Sequence, residues 1–458
     1  MLSRTNLPRL RWRWLAPLAL LLLPRGGALG SEEEGPAVPA DPPARWWKGN
    51  LHTHSFWSDG NDFPEMIVDW YRQRGYHFLA LSDHNVLSQG PRWMDRAEID
   101  RRSGGRAFDR YVARFGRSWV ETRTVDGTDQ VRLRPLSEYR ALVEQADRFL
   151  LIQGEEITDR FERKPIHMNA SNLAELVPPQ GGSSVVEVIE NNLKAVQEQA
   201  ERLGIPIVTH LNHPNFGYGV TAEELAEAVR ERFFEVYNGH PGVNHQGDTR
   251  HAPIERMWDI ANTLRIAGFQ AAPLFGLGTD DSHNYFGTEG SSPGRGWIMV
   301  RSRHLTPERL IDAIQAGDFY ASSGVTLREV RYDEAAGALE LEVEPEEGAS
   351  YRIDFIGTLN GAGTASEPVL DDEGTPIDAT RRYSDEIGKV LASAEGTSAR
   401  YELTGDELYV RAVVTSSLPP ENPSFAGQKA QAWTQPVGWS KWVEAANPAA
   451  GVGGEGGR

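Results

Sequence analysis

The sequence predicts an α/β protein: a barrel of β/α units over residues 45–325, followed by a smaller antiparallel β-sandwich over 326–443. Three observations lead there. From 51 to about 325, short apolar runs alternate with helix-period segments, the pattern of parallel strands joined by helices. After 326 the period becomes two, in Leu339, Leu341 and Val343, then Tyr351, Ile353 and Phe355, then Leu408, Val410, Ala412 and Val414. A chain of 458 residues, 39% hydrophobic and 24% charged, is of ordinary globular composition and long enough for two cores.

The elements follow in chain order. Asp62 is placed to cap a helix carrying Met66, Ile67, Trp70 and Tyr71 on one face, and Gly75 ends it before a strand over 77–82. Residues 86–147 interrupt the alternation with a polar, arginine-rich insertion containing Trp93, Tyr111 and Trp119, which reads as loop serving or covering a site. A helix over 186–203 stops at Gly204 before a strand over 205–208. Thr221 caps 222–232 before a strand over 233–237, a helix over 254–267 precedes a strand over 275–277, and Thr306 opens a last helix, 307–315, before a strand over 319–322. Trp433 and Trp439 read as buried near the seam between the two parts, and Trp46, Trp47, Trp70 and Tyr71 as packing residues.

The ends are of different character. Residues 1–30 combine Arg4, Arg9, Arg11 and Arg13 with an apolar run at 15–23 and a small-residue stretch at 26–30, the pattern of a secretory signal peptide too short to span a bilayer. Residues 31–44 read as a flexible lead-in and 444–458 as a disordered tail. Removal of 1–30 takes five arginines and no acids, leaving 42 basic against 65 acidic residues, a charge of −23. That balance argues against a bulk nucleic-acid or anionic-membrane partner. The expected location is periplasmic or extracellular. With no cysteine, disulfides, thiolate ligands and cysteine nucleophiles are excluded, and His, Asp and Glu remain as metal ligands.

Position makes the histidines informative. The polar residues closing successive strand-like runs are His52 and His54; Asp83 and His84; Glu155 and Glu156; His167; His210 and His213; Glu235 and Asn238; then Asp280, Asp281 and His283. In a β/α barrel the C-terminal strand ends converge on one mouth, so these runs deliver metal-competent groups to one place. Taken singly, a His-x-His is more often surface polarity and Ser-Asp-Gly more often a plain turn. Their conjunction at the same end of successive strands points to a metal site.

These residues, in this order, resemble the polymerase and histidinol phosphatase (PHP) family over residues 46–325. The matching signatures are Leu-His-Thr-His at 51–54 with Ser-Asp-Gly at 58–60, Ser-Asp-His at 82–84, Gly-Glu-Glu at 154–156, His167, His213-Pro214 and Asp281-Ser282-His283. The resemblance implies a distorted (β/α)7 barrel and three divalent ions. By position, His52, His54, Glu155 and Asp281 match ligands of the first ion, with Glu155 bridging to a second held by His167 and His213. Asp59, His84 and His283 match ligands of the third. His213 is preferred to His210 because the family places proline after this ligand, and His210 is kept as a neighbouring or substrate-facing residue.

Sulfur-free ligation suits Zn²⁺, Mn²⁺ or Fe²⁺ without deciding among them. The expected chemistry is hydrolysis of a small-molecule phosphate ester by metal-activated water, with Asp281, His213, His210 and Arg295 as the catalytic candidates, Arg295 as an anion clamp. Asn85, Asn238 and Asn284 are candidate donors to substrate. Hydrolysis of a carboxylic or carbamic ester or an amide at the same metals is the alternative, and a non-catalytic carbohydrate- or surface-binding protein is the third reading. Oligomeric state is not legible.

Overall fold

The computed structural model describes residues 42–444, and those from Pro43 onward form one compact unit. The expected signal peptide, most of the expected lead-in and the tail from 445 lie outside the described residues. Among those described, no helix is long and apolar enough to cross a membrane.

The fold is mixed α/β, built on a thirteen-stranded sheet. Its first seven strands in chain order are β1 (Arg45–Asn50), β2 (Phe78–Leu81), β3 (Leu150–Phe161), β4 (Lys164–Ser171), β5 (Val208–Leu211), β6 (Phe233–Asn238) and β7 (Phe275–Thr279), each beside the next. Beyond β7 the chain returns to β1: His54 N–H donates to Ser282 O at 3.0 Å, Asp281 N–H to His52 O at 3.0 Å, and Thr53 bridges Ser282 in parallel. The loops leaving the first and seventh strands are thereby tied together, which brings the chemistry-bearing ends to one place.

Two strands depart from the parallel pattern expected over 45–325. β4 runs antiparallel to both β3 and β5, because only Glu162 and Arg163 separate β3 from β4 and so short a link makes a hairpin, not a crossover. Strand Trp297–Ser302 pairs antiparallel with β1 on its other edge. β1–β2, β2–β3, β5–β6 and β6–β7 are parallel, as expected of β/α units.

The helices follow their capping residues with shifted boundaries. Helix Pro64–Gln73 starts one residue after Phe63, with no side-chain cap; Asp62 accepts from the Phe63 N–H instead. Helix Val185–Leu203 is capped by Ser184 and closed by left-handed Gly204. Thr221 and Glu224 form a reciprocal capping box, but helix Ala222–Glu227 ends five residues short of the expected stop. Helix Ile254–Thr263 passes into a π-helical turn, Leu264–Phe269. Helix Pro307–Ala316 has Thr306 as its cap and Gly317 after it. Strand β5 begins three residues later than expected, at Val208.

The insertion is folded, not loop. Strands Arg92–Asp95, Thr122–Val125 and Thr128–Leu133 make their own sheet, and Ile99, Phe108, Tyr111, Val131 and Leu133 bury against Phe56, Trp57 and Phe63 of the segment that follows β1. Its core therefore fixes the loop that carries Asp59.

After 326 the chain is antiparallel and two-layered. Strands Leu327–Asp333, Ala338–Val343 and Ser398–Glu402 form one sheet; Tyr351–Leu359, Lys389–Glu395, Glu407–Ser416 and Gln431–Thr434 extend the large one. Leu339, Leu341, Val343, Tyr351, Ile353, Phe355, Val410, Ala412 and Val414 fill the space between. The two parts share a sheet, since Phe319–Ser322 pairs with Gln431–Thr434. Trp433 is buried where they meet, its ring 5.8 Å from that of Tyr237, whereas Trp439 is only half-buried.

Candidate metal centre

Glu156 lies at the middle of the cluster. It follows Leu151 and Ile152 in β3, and its buried carboxylate faces five imidazoles: His84 Nδ1 at 2.7 Å, His167 Nδ1 at 3.0 Å, His54 Nε2 at 3.3 Å, His52 Nε2 at 3.5 Å and His213 Nε2 at 3.7 Å. Asp281, at the exit of β7, approaches from the other side, with Oδ1 3.2 Å from both His52 Nε2 and His54 Nε2 and Oδ2 3.8 Å from His213 Nε2. Three groups of atoms within 4.8 Å of one another result: His52, His54 and Glu156; Glu156, His167 and His213; and His54, Asp59, His84 and His283. In the last, Asp59 lies 3.3 Å from His283 Nε2 and 3.5 Å from His84 Nε2, at the exposed edge.

Glu155 is not in this cluster, a correction to the expected site: Glu156 stands at its centre instead. Successive side chains of a strand point to opposite faces, so the Gly-Glu-Glu motif can send only one of the pair inward. The Glu155 carboxylate instead accepts the Val177 N–H at 2.7 Å, and burial pushes it up to about 8. His167 arrives from the beginning of β4, not from a strand end; the reversal of β4 carries its first residues to the mouth where β3 ends.

The structure puts His213 beside Glu156 and Asp281, and His210 on the far side of His52. His210 Nε2 is 3.4 Å from Glu235, completing a fourth group with His52. The four polar contacts of Glu235 are already made: it accepts from His52 Nδ1 at 2.7 Å, Thr279 Oγ1 at 2.7 Å, the His213 N–H at 2.8 Å and Asn238 Nδ2 at 2.7 Å. It therefore orients His52 and His213. Both Asp281 (φ 49°) and His213 (φ 20°) sit at positive φ, a strained backbone for non-glycine residues that the neighbouring hydrogen bonds hold in place.

Arg295 is no anion clamp. Its guanidinium is buried and donates to Gly239 O, Gly290 O and Thr288 O at 2.8, 2.6 and 2.9 Å, tying the loop after His283 to the β6 exit. The three asparagines are likewise engaged within the protein: Asn85 with Thr158, Asn284 with Glu289 and Asn61, and Asn238 with Glu235 and Asp281. Asp280 turns away from the cluster and accepts from Tyr71 Oη and the N–H groups of Gly294, Arg295 and Gly296.

Supporting residues without an assigned role in the sequence also appear. Asn212 donates to Glu156 Oε1 at 2.8 Å and to Asn169, fixing the central carboxylate. Asp83 accepts from the N–H and hydroxyl of both Ser55 and Ser58, which shapes the loop between His54 and Asp59. His240 lies with its ring 5.7 Å from that of His283. Asn212 and Asp83 were findable as neighbours of His213 and His84; nothing in the sequence marks His240.

Electrostatics show what the cluster lacks. Burial opposes charge on Glu156 and Asp281, yet the surrounding imidazoles hold both well below the usual carboxylate range. Burial lowers His84, but Glu156 and Asp59 outweigh it and raise the imidazole to about 11. For His54, burial and the adjacent His283 dominate and bring it down to about 4, so it stays a neutral donor. His52 Nε2, His54 Nε2, Glu156 Oε2 and His167 Nδ1 are buried without a hydrogen-bond partner. Carboxylates and imidazole lone pairs directed at each other in this way require positive charge between them, which protons or metal ions supply.

No protein-family model matches the chain, and no curated protein is similar to it. Among solved structures, one it resembles is a two-domain protein from Bacteroides vulgatus described as containing a predicted PHP-like metal-dependent phosphoesterase. The identity is 15% and the TM-score 0.37, with 87% of this chain and 97% of that chain covered. Another is a candidate metal-dependent phosphoesterase from Bifidobacterium adolescentis, at 14% identity and TM-score 0.26, covering 55% of this chain and 94% of that one.

Proposed function

We propose that this chain is an exported metal-dependent phosphoesterase whose ions sit around Glu156, within a distorted seven-stranded barrel. The observation that carries the proposal is the buried carboxylate ringed by five imidazoles, with unpartnered nitrogens facing inward. The donor set fits three divalent ions of the Zn²⁺, Mn²⁺ or Fe²⁺ type. His52, His54, Glu156 and Asp281 would hold the first, Glu156, His167 and His213 the second, and Asp59, His84 and His283 the third. The basic-then-apolar sequence at 1–30 supports export.

Bound ions of this kind lower the pKa of water toward neutrality and neutralise charge on phosphoryl oxygens. The chain's own residues prepare the place. Glu235 and Asn212 orient the ligands, Asn238 steadies Asp281, and Asp83 with the folded insertion sets the loop bearing Asp59. Asp59, His84 and His283 are the most solvent-exposed members of the cluster, so a small-molecule ester would approach from their side.

The test is metal analysis of the purified protein with a screen of matched aryl phosphates and carboxylate esters. At least two divalent ions per chain and faster phosphate hydrolysis are expected. Preference for the carboxylate esters would assign the same centre to acyl chemistry, and full activity after exhaustive chelation would refute the metal-dependent reading.

A further inference from the structure

We propose that a cavity on the other side of Asp280 from the metal cluster is a second small-molecule site, which takes a flat-ringed organic anion with its charged end on Lys48. The cavity encloses about 950 Å³, within the range of small-ligand sites. It lies between β1, helix Pro64–Gln73, the loop after His283 and the loop at 419–422, and none of the proposed metal ligands lines it.

Lys48 is the anomaly that points to a ligand. Its Nζ lies 3.8 Å from the ring centre of Trp297 and 4.2 Å from that of Tyr76, and it has neither a hydrogen-bond acceptor nor an ion-pair partner among the described residues. Ring faces compensate an ammonium only in part. Burial accordingly lowers this amine to about 8, against the more distant pull of Asp280 and Glu421. An arriving carboxylate or phosphate would supply the missing charge-assisted hydrogen bond. A second cation, Arg74, stacks on Trp70 at 4.0 Å in the same wall and has no acidic partner among the described residues. The indoles of Trp70 and Trp297 offer surface for a planar body. The acids Glu346 and Glu421 line the cavity but are solvent-exposed and form no ion pair with Lys48, so they limit the ligand's charge without occupying the lysine.

The experiment uses the metal-loaded protein and anilinonaphthalene sulfonate, a fluorescent aryl anion. Saturable one-to-one binding is expected, displaced by benzoate and by the non-hydrolysable phenylphosphonate but not by neutral benzyl alcohol. Lys48→Met should weaken it by roughly tenfold or more, the worth of one hydrogen bond to a charged group, with metal content and ester hydrolysis unchanged. Unchanged affinity in a folded Lys48→Met, or equal displacement by benzyl alcohol, overturns the proposal. Limiting acetic anhydride near pH 8 gives a reading on the unaltered chain: benzoate should protect Lys48 from acetylation, and absence of protection counts against the site.

Discussion

Glu155 and Glu156 are adjacent and chemically identical, yet one faces five imidazoles and the other a single backbone N–H. Glu156→Gln is expected to remove at least one metal equivalent and lower hydrolysis more than about 100-fold, because a ligand is lost outright. Glu155→Gln should keep full metal content, as read by elemental analysis of both variants. Asn212→Ala, which frees one oxygen of Glu156, should weaken metal affinity by about 10- to 100-fold. The residue types of the centre were legible because they close apolar runs. The choice within Gly-Glu-Glu was not, since a register change of one residue exchanges the two faces of a strand. Arg295 was equally opaque, because an arginine bound to three carbonyls has the same sequence signature as one awaiting a phosphate.

At the scale of elements, the caps Thr221 and Thr306 and the stop glycines Gly204 and Gly317 were read well, whereas the cap at Asp62 and strand direction were not. Thr221, Thr306, Gly204 and Gly317 stand where the helices begin and end. Thr221→Ala should cost about 1 kcal/mol in chemical denaturation, since it leaves the Glu224 N–H without its acceptor. The reversal of β4 follows from a two-residue link that carries no helix, and parallel and antiparallel strands share the same apolar composition. Past the short helix Ala222–Glu227, the chain turns through Glu231, whose carboxyl is pushed up to about 7 by burial. In the unfolded chain this group titrates near its ordinary value of 4.5, so the native state binds the extra proton between about pH 4.5 and 7. The associated stability is present below that window and lost as pH rises through it. Glu231→Gln, which mimics the protonated form, should raise stability well above pH 7 by about 3 kcal/mol and flatten the profile; an unchanged profile would show that Glu231 stays ionised.

For the whole molecule, the large sheet runs through the position where the sequence period changes. The described strands after 326 pair antiparallel, but a period of two says nothing about which sheet a strand joins. Phe319–Ser322 bonds to Gln431–Thr434, and the buried guanidinium of Arg411 meets Asp259 of helix Ile254–Thr263 at 2.7 and 2.9 Å. Proteolytic cuts at 325–335 should therefore leave fragments that co-elute under native conditions; fragments separating without denaturant would show two independent bodies. Arg411→Leu strands a buried carboxylate and should cost about 3–5 kcal/mol.

Anomalous diffraction from the protein grown with Mn²⁺ or Zn²⁺ measures the central claim most directly. Peaks are expected within coordination distance of Glu156, with at least two ions sharing its carboxylate and His52, His54, His167, His213 and Asp281 around them. A metal-replete crystal with no peak at Glu156, or with ions held only at Glu155 or elsewhere, would contradict the site.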